Sequence, residues 1–357
     1  NRQLKVAREA VHLAELEAGT GNTPPDPEVE FGYLFGNPGD LGKRLDFGIT
    51  QQVDFPSAYA NRSKLRKILS SQAELEYILT RQEVLLEARR LWIEQIHLNQ
   101  LGNLIGARLD QARTIVSHME RKVEAGEAGI LELGQSRLMV ASLEGEYEEV
   151  LALSGDLQLA LKEISGGEDL EIRDTLFPQA LPLVADSVLE AYRLSPFVQY
   201  YDQELQSKEA EKNLAVSMHL PKLSAGYYSE SIPNESFRGF RLGVSVPLWE
   251  NANTLKKAKA EIAYAQAEID RYSIHQEKEV RQMLNKLESY RHRASKLEEA
   301  LEAVNSLSLL GSSLENGEIS LSEYFYTSDF YFRNQAQLLH YNKELLLQEA
   351  ELMKIYL

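Results

Sequence analysis

The sequence predicts a mainly α-helical protein with a small β part, in which long antiparallel helical hairpins accompany four β-strands. Three observations lead to this fold class. The same layout of segments occurs twice, two long stretches contain no proline, and apolar residues alternate with polar ones just before each of those stretches. Helical periodicity without proline and period-two alternation indicate different kinds of backbone, so both kinds are expected in one chain.

The duplication is visible as a constant spacing. Pro56 and Gly126 are 70 residues apart, and so are Pro247 and Gly317, which places the two copies at an offset of 191. Upstream of the two prolines the offset is 194, so the copies differ by three residues in length. We therefore expect three parts, namely a first repeat, a linker and a second repeat, over residues 1–165, 166–194 and 195–357.

The composition limits the classes of function. The 357 residues are 43% hydrophobic and 26% charged, mean hydropathy is -0.34, and no window approaches 18 consecutive apolar residues. This excludes a polytopic helical membrane protein, so any membrane-spanning segment has to be sought as an alternating strand. A net charge of -16 argues against nucleic acid or an anionic membrane surface as a partner. The chain contains no cysteine, and so it has no disulfide, thiolate metal site or catalytic thiol.

Each repeat is predicted to contain one very long helix. Proline is absent from Ser57 to Phe177 and again from Leu248 to the last residue, which matters because a proline inside a helix costs about 3 kcal/mol. Apolar residues recur there at steps of three and four, which predicts helices over 57–123 and 248–314. At about 1.5 Å per residue, each helix would be roughly 100 Å long.

Each long helix is predicted to end in a short turn and to reverse direction. Glycine ends both periodic runs, at Gly126 and Gly317, and a second helical pattern follows each turn. We expect turns over 124–131 and 315–322, with return helices that begin near residues 132 and 323. Ser195 and Pro196 predict a helix start in the second repeat, because serine is a good N-cap and proline is favoured at the first helical position.

A pair of strands precedes each long helix. Apolar and polar residues alternate with period two over 28–55 and 222–247, so each segment is predicted to form a β-hairpin with one apolar and one polar face. The connecting loops, near residues 36–40 and 232–235, are rich in turn-forming residues and contain the three-residue length difference.

Two interpretations of these strands are open. They form either a small soluble sheet packed on the helices or a set of strands that spans a membrane. The second is favoured because strands of about 9–11 residues with two unlike faces suit a tilted membrane strand. Aromatic residues near the strand ends (Phe55, Tyr59 and Trp249) would also suit a membrane interface. Four strands cannot close a barrel, and lipid does not tolerate an open sheet edge, so closure demands several chains.

The whole plan resembles the TolC family of outer-membrane efflux proteins. The resemblance rests on Val-Ser-Val-Pro-Leu-Trp-Glu-Asn at 244–251, on Asn-Gly-Glu-Ile-Ser-Leu-Ser-Glu-Tyr at 316–324 and on the order of elements. It implies a homotrimer in which each protomer gives four transmembrane strands to a 12-stranded barrel, continued by an α-helical periplasmic tunnel. The heavy-metal and drug efflux branch is the most similar part of that family.

The resemblance also implies partners and a location. They are outer-membrane lipid, a periplasmic adaptor and an inner-membrane transporter, mainly of the resistance-nodulation-division type. A signal peptide or a lipid-anchor cysteine would lie upstream of residue 1. Two alternatives stay open: the outer-membrane duct of a type I secretion system, and a soluble periplasmic coiled-coil scaffold.

No catalytic constellation is recognisable in the sequence. There is no Walker loop and no Gly-x-Ser-x-Gly elbow, and the seven histidines are scattered without metal-ligand spacing. We therefore expect no enzyme activity, no cofactor and no metal site.

The resemblance assigns two kinds of functional residue to the helical turns. Gly126, Gly129, Ile130, Gly317, Ile319 and Leu321 would form the tips that dock the adaptor, and the alternative is that these are ordinary helix-to-helix turns. Glu323, its counterpart Glu132 and Tyr326 would line the periplasmic gate, where a solvated glutamate on a helix face is the alternative. Tyr326 stands where the family often has a second acidic residue.

Two further sets of residues belong to the strands. Pro56 and Pro247 are predicted to mark the transition from barrel to tunnel, since proline lacks a backbone donor and suits a bend between sheet and helix. The polar strand residues that would line the barrel lumen are Glu28, Glu30, Asp46, Asp54 and Arg241.

Overall fold

The computed structural model describes residues 1–36, 42–249, 251–303 and 307–357. The helices are α1 (Arg2–Gly19), α2 (Pro56–Glu124), α3 (Ile130–Ser165), α4 (Ala185–Arg193), α5 (Pro196–Met218), α6 (Thr254–Ala303), α7 (Leu307–Glu315) and α8 (Leu321–Met353), the last followed by a 3-10 turn at Lys354–Tyr356. The strands are β1 (Glu28–Phe35), β2 (Lys43–Val53), β3 (Lys222–Ile232) and β4 (Glu235–Ser245). Among the helices so described, none is long and apolar enough to cross a membrane.

The predicted fold class is confirmed: most described residues are helical, and the four strands form one small antiparallel sheet. The helix α2 extends over 69 residues without a break, in agreement with the proline-free pattern. Ser195 caps α5 as predicted, because its side chain accepts a hydrogen bond from the Val198 N–H and Pro196 occupies the first turn.

The chain divides into two compact units. One comprises residues 6–79 and 194–275 and contains the sheet, and the other comprises residues 1–5, 80–193 and 276–357 and is helical. Each unit draws on both predicted repeats, and the division into sequence repeats stays a prediction.

The helical unit is held together by two different kinds of contact along α2. Apolar contacts join α2 to both neighbours: Leu109 and Ala112 pack around Leu143 of α3, and Leu86 and Ile93 pack against Leu346 and Ala350 of α8. Ion pairs add to the contact with α8, and they join Arg89 to Glu349 at 2.9 Å, Glu94 to Lys343 at 3.3 Å and Arg108 to Asp329 at 2.6 Å. Residue numbers rise along α2 as they fall along α8, so the two helices are antiparallel.

Glu349 is the most buried of these charges, with 2% of its surface exposed. One carboxylate oxygen accepts a hydrogen bond from Arg89, and the other accepts one from the Leu181 N–H at 2.8 Å. A buried carboxylate is tolerated when it is paired and hydrogen-bonded in this way. The segment before α4 is thereby tied to α8.

Three predicted boundaries differ from the structure or lie outside it. The second long helix begins at Thr254 rather than residue 248, because turns precede it and Asn253 has a φ of 67° that an α-helix cannot accommodate. Its continuation at residues 304–306 lies outside the described residues. The predicted loop at residues 36–40 lies almost wholly outside them as well, and with it part of the region to which the length difference was assigned.

The linker at 166–194 contains a helix that the pattern did not predict. The helix α4 has nine residues, of which Val188 alone is buried, and Val188 packs against Val280, Leu287 and Leu352. A helix this short offers too few turns for its periodicity to be recognised.

Candidate functional site

The four strands form a sheet in the order β1–β2–β3–β4, and all neighbouring pairs are antiparallel. Residues directly opposite each other on neighbouring strands share a face of the sheet. One row across the sheet joins Glu28, Thr50, Gly226 and Arg241. The register therefore defines which side chains belong to each face.

One face of the sheet is apolar and exposed. Phe240 is 90% exposed and Leu242 83% exposed. Val244 on the same strand and residues on the other strands continue this surface, the latter being Val29, Phe31, Tyr33, Leu45, Phe47, Ile49, Leu223 and Tyr227. A contiguous exposed apolar surface of this kind marks a site of contact with a protein or a membrane.

The other face is polar, and it contains four of the five residues predicted to line a lumen: Glu28, Glu30, Asp46 and Arg241. Arg44 lies among them as well. Its guanidinium contacts Asp46 at 2.9 Å and Glu230 at 3.1 Å, which links β2 to β3. Sequence reasoning missed Arg44 and Glu230, although the period-two alternation places both on the polar face.

Arg241 has a different environment from Arg44. Its guanidinium lies 4.6 Å from the centre of the Tyr228 ring, in a cation–π contact between β4 and β3. The described residues provide no carboxylate partner for it, nor any ion pair for Glu28 or Glu30.

All strand glycines lie on the polar face. They are Gly32, Gly48, Gly226, Gly239 and Gly243, and each is in register with polar-face residues of the next strand. A Cβ added at Gly226 would lie 2.6 Å from the Ile49 carbonyl oxygen, whereas one added at Gly239 would meet nothing within 4 Å. On β4 the polar face is therefore open at Gly239, whereas at Gly243 a Cβ would lie 2.5 Å from the Ser224 hydroxyl oxygen.

Asp54 is not on the strand face, contrary to the pattern. It follows the end of β2 and pairs with Arg62 of α2 at 2.7 Å, while its backbone N–H donates to the Tyr59 hydroxyl at 3.1 Å. These contacts fix the start of α2, whose first residue is Pro56. Pro247 lies between β4 and α6. The transition role of the two prolines stays a prediction.

The turn between α2 and α3 is built on Gly126, whose φ is 75°. The Glu127 N–H donates to the Lys122 carbonyl at 2.7 Å and the Gly126 N–H to the Val123 carbonyl at 3.0 Å, which is a Schellman arrangement. Gly129 then precedes α3, and its N–H donates to the Glu132 carboxylate at 3.2 Å. Glu132 thus caps its own helix.

The turn between α7 and α8 repeats the first half of this geometry. Gly317 has a φ of 73°, and the Glu318 N–H donates to the Ser313 carbonyl at 2.8 Å. The cap is different, because the Ser320 hydroxyl accepts the Glu323 N–H at 3.2 Å. The Glu323 carboxylate has no partner among the described residues and is exposed, as is Tyr326 at 78%.

A shared apolar cluster joins the two turns in the helical unit. Ile115 and Met119 of α2, Leu133 of α3, and Leu321 and Tyr324 of α8 form its buried centre, and Ile319 packs against it. Burial raises the pKa of the Tyr324 hydroxyl.

The predicted docking residues therefore fall into two groups. Ile130 is 72% exposed, whereas Leu321 is only 5% exposed and belongs to the core of the chain itself. An apolar contact with a partner can use Ile130, but Leu321 is not accessible for one. The docking and gate roles stay predictions.

A cleft of about 580 Å³ lies beside this cluster. Apolar residues Ile115, Met119 and Leu314 line it together with the basic residues His118, Arg121 and Lys122. Sequence reasoning missed these three basic residues, which precede Gly126 on the last turns of α2. Within the part of the chain that the structure describes, no group of three or more His, Cys, Asp or Glu residues could hold a metal ion.

A two-faced antiparallel sheet joined to long helical hairpins defines a recognisable class of fold. The chain is similar to the CmeC outer membrane channel of Campylobacter jejuni, with a TM-score of 0.82 at 16% identity over 100% of this chain and 83% of that one. It is also similar to the outer membrane protein VceC of Vibrio cholerae, with a TM-score of 0.81 at 13% identity over 99% of this chain and 92% of that one.

A third solved structure agrees with these two. The open state of the Neisseria gonorrhoeae MtrE outer membrane channel has a TM-score of 0.71 at 13% identity over 99% of this chain and 86% of that one. No family model matches the sequence, and no curated protein sequence matches it. The resemblance predicted from the sequence is therefore confirmed for the fold.

Proposed function

We propose that the chain is one protomer of an outer-membrane channel, a homotrimer in which each copy contributes four strands to a 12-stranded barrel. The observation that carries this proposal is the two-faced sheet, whose apolar face is exposed while its polar face contains Arg44, Asp46 and Glu230. The fold it shares with CmeC and MtrE, which are outer membrane channels, supports the same conclusion.

The exposure of the apolar face is the physical reason to place the sheet in lipid. Burial of apolar surface stabilises by roughly 25 cal/mol per Å², so leaving Phe31, Phe240 and Leu242 in water would forgo several kcal/mol. Lipid in turn requires every backbone N–H and C=O group to be paired, and among the described strands of a single chain the outer edges of β1 and β4 have no neighbour. Several copies are needed to close the sheet.

The polar face would then line a water-filled passage. Residues that line this passage would bind and release solutes without making or breaking covalent bonds, so the channel would be a passive conduit rather than an enzyme. The force for transport would come from an inner-membrane transporter, which we propose to be of the resistance-nodulation-division type and to export drugs or metal ions.

A periplasmic adaptor is the partner proposed for the helical turns. The exposed side chain of Ile130 and the cleft lined by His118, Arg121 and Lys122 support this assignment. An adaptor helix with an apolar stripe flanked by carboxylates would suit that surface, because apolar anchors fill a groove and opposite charges fix the register.

The experiment that tests the function uses the full chain expressed in a bacterial outer membrane. We expect extraction only with detergent, a trimer in light scattering, and ion conductance in planar bilayers. A monodisperse monomer in aqueous buffer without detergent would contradict the proposal and support a soluble scaffold.

A matched pair of variants on β4 sharpens this experiment. Phe240→Arg places a charge on the apolar face, where it should cost about 2–4 kcal/mol near the middle of the bilayer and impair insertion of the trimer. Gly239→Arg is the neighbouring change on the polar face, where nothing lies within 4 Å of the added Cβ, and it should leave the trimer intact while lowering conductance. Equal effects of the two would contradict the assignment of the faces.

A further inference from the structure

The polar faces of the two edge strands carry opposite charges, with Glu28 and Glu30 on β1 and Arg241 on β4. Among the described residues none of these three has an ion-pair partner within the chain, and Arg241 only stacks on the ring of Tyr228. Edges with complementary charges suit each other when copies of one chain are arranged head to tail.

We infer a specific register for the seam between two copies, and this inference rests on the proposed channel. In it, β4 of one copy pairs with β1 of the next so that Arg241 lies opposite Gly32 of the neighbouring copy. Arg241 then forms an ion pair with Glu30 of that copy. The strand directions allow it, because β1 to β4 alternate and β4 followed by a further β1 continues the antiparallel order.

The stagger of the seam follows from barrel geometry. With strands tilted by about 40°, spaced about 4.8 Å apart and rising about 3.3 Å per residue, neighbouring strands are displaced by roughly 1.2 residues. Over the four strands of one copy, this displacement adds up to roughly five residues. An odd displacement would move every side chain to the opposite face, so the displacement must be even, about four or six residues.

Strand length decides the direction of the displacement. Within one copy the row that starts at Glu28 ends at Arg241. A displacement of about four residues towards Phe35 places Arg241 opposite Gly32 and keeps all of β1 against β4. A displacement of the same size the other way would leave only residues 28–30 paired, and lipid would then face an open edge.

This register also matches the side chains on both faces. On the apolar face, the opposite residues are Val29 with Val244, Phe31 with Leu242, and Tyr33 with Phe240. On the polar face, Glu30 lies opposite Gly243 and diagonal to Arg241, at a separation of about 7–8 Å that a long side chain can span. Gly32 and Gly243 themselves add no side chain between Arg241 and Glu30.

Cysteine cross-linking tests the register, because the chain has no native cysteine. In the full-length trimer, Val29→Cys with Val244→Cys should give covalent dimers and trimers under mild oxidation, since the two positions are directly opposite. The matched control, Phe31→Cys with Val244→Cys, represents a six-residue stagger and should cross-link severalfold less. Equal or stronger cross-linking in the control would overturn the register, and so would no cross-linking in either.

A charge exchange tests the ion pair separately. Arg241→Glu and Glu30→Arg should each lower the temperature at which the trimer dissociates in detergent, and the double variant should recover most of that loss. Additive losses would overturn the ion pair.

The wild-type channel distinguishes a failed seam from a failed function. A wild-type trimer that conducts ions but shows the wrong cross-links contradicts only the seam. A wild-type chain that neither trimerises nor conducts contradicts the proposed function.

Discussion

The two helical turns have the same backbone but different caps. Gly126 and Gly317 adopt nearly equal φ values of 75° and 73°, and both turns close with the same pair of backbone hydrogen bonds. The first turn lacks a side-chain oxygen at Gly129, so the Glu132 carboxylate caps the helix. The second has the Ser320 hydroxyl, which leaves the Glu323 carboxylate without a partner among the described residues.

This difference separates residues that occupy equivalent positions. Glu132 and Glu323 are equivalent at the offset of 191 between the two copies, and so are Ile130 and Leu321. In each pair one side chain is held by contacts within the described chain, by a hydrogen bond for Glu132 and by burial for Leu321. Glu132 stabilises its helix, whereas the Glu323 carboxylate has no partner among the described residues, and Leu321 is buried while Ile130 is exposed. The first turn therefore has the exposed apolar side chain and the second has the exposed carboxylate.

The largest expected effect concerns the apolar pair. Leu321→Ala removes a side chain from the cluster around Met119 and Tyr324 and should lower the free energy of unfolding by about 2–5 kcal/mol. Ile130→Ala, at the equivalent position, should change it by less than about 0.5 kcal/mol because the side chain is exposed. Chemical unfolding followed by circular dichroism in detergent measures both. Similar losses would show that the turns are equivalent after all.

A smaller effect is expected at the glycines that define the common backbone. Gly126→Ala and Gly317→Ala should each cost about 1–2 kcal/mol, since a positive φ is unfavourable for any residue with a Cβ. Gly129→Ala serves as the control, because its φ of -84° is ordinary and the loss should be smaller. Thermal unfolding of the three variants gives the comparison. A harmless Gly317→Ala would mean that the second turn adopts another conformation.

The smallest effect on stability, and a selective one on conduction, is expected at the two glutamates. Glu323→Gln should leave the free energy of unfolding nearly unchanged, but it should raise single-channel conductance and weaken block by multivalent cations if three such carboxylates surround the channel axis. Glu132→Gln should affect conductance much less, since its carboxylate binds the Gly129 N–H. Single-channel recordings of the variants test whether Glu323 lines the channel. Identical traces for wild type and Glu323→Gln would show that Glu323 is a solvated residue on the helix face.

Much of the fold could be predicted from the sequence because its signals are local. Gly126 and Gly317 mark helix ends through their backbone freedom, and the polar positions of β1 and β2 follow from period two. These features depend on a few neighbouring residues. They do not require knowledge of which helices pack together.

The rest depends on contacts between distant segments. Whether Leu321 or Ile130 is buried is decided by the packing of α8 against the last turns of α2, and the equivalent positions in the sequence carry no sign of it. The ion pairs between α2 and α8 are equally invisible, because Arg89 and Glu349 are separated by 260 residues. The predicted start of α6 at residue 248 was wrong for a local reason, because a turn at Asn253 interrupts a stretch that lacks proline.

The five strand glycines have a consequence for permeability. Because all of them lie on the polar face, three copies would surround the proposed passage with fifteen positions at which no side chain projects inward. Glycine-to-alanine substitutions, each adding one methyl group per copy, would then raise the electrical resistance of such a passage. At Gly239 the added methyl group meets no neighbouring atom within 4 Å. The lipid-facing surface would remain untouched, so the bore of the channel and its anchorage in the membrane could change independently.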